Sequence, residues 1–212
     1  MFSYLKKHPF GVQAFFEHSI VLTYALPVKR LIGMLPPCLV PDTFEDKWAF
    51  VAVAMVQAKD LRPQGFPKFM GNDLFLIGYR IFVRYVTNAG KRLRGLYILG
   101  STTNSRKMAM LGNIFTHYNY AFTDIAQDIN STQIGIVSKG ADIDVRIDTG
   151  GKNVSLPTGT PFADWKQARR FAGPLPFTFS YDADSREVLI IEGVREFWEP
   201  RPIEILRLSQ KV

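Results

Sequence analysis

A single cysteine, Cys38, stands in the whole 212-residue sequence, which excludes an internal disulfide and any multi-cysteine zinc site. Histidines number only three. None sits three or four positions from another, so no metal centre is expected. No run of about eighteen apolar residues occurs, so nothing is expected to span a membrane and no membrane partner is foreseen. The lead-in segment, residues 1–17, is broken by Lys6, Lys7 and His8 before any apolar stretch develops, and it lacks a signal-peptide cleavage pattern. A cytoplasmic location is therefore the expectation. Also missing are a serine nucleophile elbow, a phosphate-binding glycine loop and a recognisably spaced pair of acids. No cofactor is expected.

What the sequence has is apolar mass. Hydrophobic residues make up 47% of it, with seventeen phenylalanines, enough to bury a large core and too rich for a disordered chain. No linker-like stretch or compositional break divides the sequence, so residues 1–212 are expected to form one domain. The formal charge of +7 raises the question of an anionic partner. Its cations are scattered over Arg80, Arg84, Lys91, Arg92, Arg94, Arg106, Lys107, Arg169 and Arg170, and no nucleic-acid-binding fingerprint accompanies them. No nucleic-acid partner is expected. A basic interaction module remains an alternative, and it requires cations gathered on one face.

Periodicity predicts a mainly β (α+β) chain of roughly ten strands, mostly antiparallel, with two or three peripheral helices. HSIVLTYAL (18–26) reads as a strand, VKRLIGMLPP (28–37) as a short helix stopped by its prolines. WAFVAVAMVQAKDL (48–61) is so continuously apolar that both faces should be covered. LFLIGYRIFVRYV (74–86) and RLRGLYILGS (92–101) form a hairpin around Asn88 and Gly90. Ser105 caps a helix over 105–116. ADIDVRID (141–148) alternates as a half-buried strand. PFADWKQARRFAG (161–173) is a second helix ended by Gly173, and two strands then meet across Ala183–Ser185.

The order of these pieces resembles a known family. It lies in LPPCLVPD, WAFVAVAMV, GNDLFLIGYRIFVRY, the following strand and helix, PFADWKQARRFAGPLPFTF and VREFWEPRP. Together they resemble the acetoacetate decarboxylase-like superfamily, and more closely its uncharacterised DUF2071 or YqjF-like branch, from about residue 18 onward. The resemblance implies an antiparallel β-cone or barrel around a central cavity. It also implies a lysine that forms a Schiff base with a β-keto acid, its pKa lowered by a neighbouring lysine; this enzyme is the standard example of that effect. Gly112 and Tyr118 match the glycine and tyrosine of the family pattern. Asn119, Tyr120 and Ala121 stand where Pro-Lys-Lys is implied, so both lysines are missing. Asp73, in GNDLF, falls about where the family glutamate falls.

The candidates are therefore a depleted set. Asp73, His117, Tyr118 and Tyr120 are the acid–base candidates, and Arg80, Arg94, Tyr97 and Asn119 the ligand-binding ones. An arginine facing into a barrel pairs with a carboxylate in bidentate fashion. His117 reads either as a general base or as a helix-end histidine bonded to backbone. Lys107, beside Arg106, reads as a solvated helix face. The expected partner is a small organic ligand, and exposed sheet edges make a homodimer the expected assembly. A protein that only binds its ligand is the rival to an enzyme acting on it without an imine.

Overall fold

These patterns become two packed sheets in the computed structural model, which describes residues 3–151, 154–196 and 199–210. In chain order the described elements are β1 (Val12–Pro27), β2 (Val40–Pro41), β3 (Trp48–Pro63), β4 (Asn72–Val86) and β5 (Arg92–Thr103). Then come α1 (Arg106–Phe115), β6 (Tyr120–Phe122), β7 (Ala126–Asn130), β8 (Gln133–Ser138) and β9 (Ile143–Asp148). Closing the chain are α2 (Trp165–Ala172), β10 (Phe177–Asp182), β11 (Glu187–Glu192) and β12 (Glu204–Gln210). Phe197 and Trp198, inside the VREFWEPRP segment, lie outside the described residues.

The larger sheet runs β1-β3-β4-β5-β10-β11, with β2 on β4 and β6 on β5; the smaller runs β12-β9-β8-β7. All pairings are antiparallel except β10 with β5 and β6 with β5. The larger sheet does not close on itself among the described residues, since β1 and β11 end its strand order. The closed form of a barrel is thus absent, while the mainly β, two-helix composition stands.

The continuous apolar run of β3 has the expected cause. Val53 and Met55 face the smaller sheet, packing with Phe75 and Ile77 against Ile136, Val145 and Ile147. Phe50 and Ala52 face the other way, with Phe82, Leu96 and the aromatic rings of Phe162 and Phe171 beside α2. Phe162 stacks on Phe50 at 5.4 Å between ring centroids. Burying each such phenylalanine contributes about 1.5–3 kcal/mol.

Ser105 caps α1 as expected, accepting from the Met108 amide at 3.2 Å; α2 starts later than the expected 161, at Trp165, where Asp164 accepts from the Gln167 amide at 2.7 Å. Residues 28–37 differ. They form two 3-10 turns, Val28–Arg30 and Ile32–Met34, because Gly33 and the Pro36-Pro37 stop leave too short a run to repay α-helix nucleation.

Candidate functional site

One cross-strand row organises the site. Val21 pairs with Ala54, Ala54 with Gly78, Gly78 with Ser101, and Ser101 with Tyr120. Paired residues share a face, so three small side chains in succession end at a tyrosine. Two residues along β4, Arg80 folds back over Gly78. A Cβ on Gly78 would stand 3.1 Å from Arg80 Nε and 3.2 Å from Nη2. The missing side chain is what lets the guanidinium lie there.

The last turn of α1 and the segment after it hold the tyrosines in place. Asn113 grips the Tyr120 backbone twice, its Nδ2 donating to the Tyr120 carbonyl and its Oδ1 accepting from the Tyr120 amide, both at 2.8 Å. The Tyr120 ring lies on Gly112, where a Cβ would come within 2.2 Å of Cδ2, so any side chain at 112 displaces the ring. The Tyr118 amide donates to Thr116 Oγ1 at 3.2 Å. Asn119 between them takes a left-handed backbone, φ 50°, which asparagine tolerates better than most residues. The two tyrosine rings stand 6.2 Å apart, and the His8 ring lies 4.9 Å from Tyr118.

Arg80, Tyr118 and Tyr120 are densely surrounded, yet each keeps some accessible surface. Burial lowers the Arg80 pKa, the two phenols partly offset that, and Arg195 adds to the lowering. Burial raises both phenols, and Arg80 opposes the rise; Tyr120 is pushed up to about 12 and Tyr118 further. Arg80 Nε has no hydrogen-bond partner among the described residues. No carboxylate and no lysine is among the charges acting on these three groups.

The other candidates lie elsewhere. Asp73 is largely exposed near the start of β4, accepting from the Asp60 amide at 2.9 Å and facing Lys59 Nζ at 3.3 Å, which lowers its pKa. Arg94 binds buried Asp42, donating from Nε at 2.6 Å. Tyr97 sits half-buried in the apolar cluster with Leu31, Leu39 and Phe179, its pKa raised by burial. Asn119 is exposed, and its carbonyl accepts from the Ser101 amide at 3.4 Å. Lys107, on the exposed side of α1, donates to Asn72 at 2.9 Å.

His117 opens onto an outer groove of about 720 Å³, lined also by Lys6, Asn113, Tyr181, Asp182 and Asp184. A smaller depression, about 190 Å³, lies on the second sheet. There Arg146 and Arg207 already face Asp128 and Asp144. Neither holds an enclosed cation without a counter-charge, which is why the Arg80 cluster is the stronger site.

His8 escaped sequence reasoning because the lead-in segment shows no periodicity. It packs on Tyr118 and, like His18 and His117, has an Nε2 without a partner among the described residues. All three histidine pKa values are lowered, chiefly by burial. For His8 the charge of His117 adds to this; for His117, Asp182 and Asp184 oppose it while Lys6 and Lys7 assist. The folded state thus binds fewer protons than the unfolded one, so stability is highest above the unfolded value of about 6.5 and declines as pH falls below it. Melting temperatures from neutral to mildly acidic pH should show that decline, and it should shrink in His8→Gln. A flat profile, or an equal slope in the variant, would refute the assignment.

Comparison with known proteins places this architecture. The fold is similar to that of an acetoacetate decarboxylase from Legionella pneumophila subsp. pneumophila str. Philadelphia 1. The TM-score is 0.53 and the identity 13%, covering 84% of this chain and 63% of that one. It is also similar to an enduracididine biosynthesis enzyme, MppR, complexed with pyruvate, with TM-score 0.47, 12% identity, and coverage of 76% and 60%. This chain therefore spans less than two thirds of either, and what it shares with the decarboxylase is the fold. Within that class the protein belongs to the DUF2071 family, described as an uncharacterized conserved protein, which matches residues 13–211. No curated protein matches the sequence.

Proposed function

We propose that the protein binds a small organic anion, a carboxylate or keto acid, at Arg80, Tyr118 and Tyr120, and that it does so without imine chemistry. The observation that carries this reading is the state of Arg80: enclosed, its Nε without an acceptor, and faced by no carboxylate among the described residues. A cation in that state is costly, and a ligand carboxylate relieves the cost through paired, charge-assisted hydrogen bonds. The absent side chain of Gly78 lets the Arg80 guanidinium lie close to the sheet, beside the row that ends at Tyr120.

The tyrosines fit the same role. With raised pKa values they stay protonated at neutral pH, so each offers a hydroxyl hydrogen to an anion and neither acts as a base. That favours a site that holds or polarises its ligand over one that abstracts a proton. Asn119, Tyr120 and Ala121 occupy the positions where the resemblance implies the lysine pair, and without an amine no Schiff base forms.

Thermal-shift titration tests this with acetate, pyruvate and acetoacetate, set against acetamide and acetone as neutral counterparts. At a hundredfold excess over its dissociation constant a bound anion adds about 2.7 kcal/mol to the folded state. The anions should raise the melting temperature, the neutral compounds should not, and Arg80→Gln should abolish the rise. No response to any anion, or one retained in Arg80→Gln, would overturn the reading.

A further inference from the structure

The part of the molecule least explained by the site is a projecting arm. It is made of the first residues of β1, the last of β3 and the loop that follows. Val12 pairs with Pro63 and Gln13 with Arg62, and the Gln64 amide donates to the Gly11 carbonyl at 2.8 Å. Phe15 and Phe16, on successive positions of the strand, point to opposite faces, and both are exposed. Beside them stand Val12, 63% exposed, with Phe66 and Met70, and at the loop apex Phe69, 87% exposed. Soluble surfaces rarely gather so many large apolar groups without a partner.

Charge selects the partner. Residues 12–16 and 61–71, which build the arm, contain Arg62 and Lys68 and no carboxylate. At its base, Glu17, Asp60 and Asp73 already face Lys59 or Arg62. Lys68 and Lys107, beside the apex, make no ion pair among the described residues. A second copy docked by the same arm would set these lysines against their own kind, at a repulsive cost. A protein partner would have to cover apolar groups on both faces of a two-stranded ribbon. A fluid apolar layer accepts side chains pointing in every direction.

We infer that this arm inserts its phenylalanines into the interface of an anionic lipid bilayer, with Lys68 and Lys107 at the headgroups. The lack of a spanning segment does not bear on this, since interfacial insertion needs exposed apolar groups and cations instead of length.

Sedimentation of the full chain with phosphatidylcholine vesicles, with and without phosphatidylserine, tests it. Binding should appear with phosphatidylserine and weaken as salt rises. The double variant Phe66→Ser/Phe69→Ser should bind about tenfold more weakly, or about 1.4 kcal/mol, and Lys68→Glu should also weaken it. The phenylalanine variants should melt normally, because these side chains are exposed. The inference is overturned by no difference between the two vesicle types, or by a self-association in solution that the double variant abolishes, which would make the arm an interface between copies. Binding to phosphatidylserine vesicles that survives the double variant refutes it as well.

Discussion

Ligand-free protein carrying Arg80→Met is expected to be more stable than the wild type, by about 1–2 kcal/mol, while losing its anion binding. For a chain of this length each kcal/mol corresponds to about 2–4 °C in melting temperature. The physical reason is the sign of the Arg80 shift. Burial lowers its pKa, so folding disfavours the charged form, and the unfolded chain keeps that charge at every accessible pH. The two phenols reduce the penalty but, being neutral, do not cancel it. Methionine has similar reach, no charge to desolvate, and a flexible chain that settles over Gly78 and Ala54. The anion loses charge-assisted hydrogen bonds worth about 1.5–3 kcal/mol each, so binding should weaken about a hundredfold. A residue retained for function at the expense of stability shows this opposition. Chemical denaturation without ligand and calorimetric titration with it read the two halves separately. A variant less stable than the wild type would make Arg80 a structural residue. Binding unchanged in a stabilised variant would put the ligand elsewhere.

Much of the site was legible because it follows from local rules. Alternation along β4 puts Arg80 and Phe82 on one face, and Ser105 with the apolar spacing after it marks α1. The meeting of Arg80 with Tyr118 and Tyr120 was not legible. It depends on β6 returning parallel to β5 and on Asn113 fixing the tyrosine backbone, and neither leaves a periodic trace. Alternation also makes Arg94 look like Arg80. What separates them is Asp42, which the connection between β2 and β3 delivers to Arg94 and not to Arg80. Asp73 lies beyond the part of β4 that the helices cover, and the nearby Lys59 answers its charge. The family's overall pattern of proline, glycine and aromatics carried the fold into view. The local geometry of single polar groups is set by contacts between segments far apart in sequence.

Asp42→Ala is expected to lower stability by about 2–3 kcal/mol, less than the loss typical of a fully buried pair. Its carboxylate is 0% exposed and takes hydrogen bonds from both Arg84 and Arg94, whose side chains are 50% and 39% exposed. Solvent on the arginine side screens part of the loss. What remains is large because Arg84 and Arg94 are direct cross-strand partners. Like charges in that position repel, and Asp42 is what holds them together. The same arginine reaches further: Arg94 Nη2 donates to the Phe171 carbonyl at 3.1 Å, and its guanidinium lies 5.0 Å from the Phe171 ring. Removing Asp42 therefore loosens α2 from the sheet as well. Because the damage is an unneutralised pair of cations, Asp42→Ala/Arg94→Leu should recover more than half of the loss, whereas a cavity effect would leave the double variant worse than either single one. Urea unfolding of the three variants separates these outcomes. Anion binding at Arg80 should survive in Asp42→Ala wherever the protein stays folded, since no residue of the Arg80 cluster bonds to Asp42; its loss would join the two arginine sites into a single functional unit.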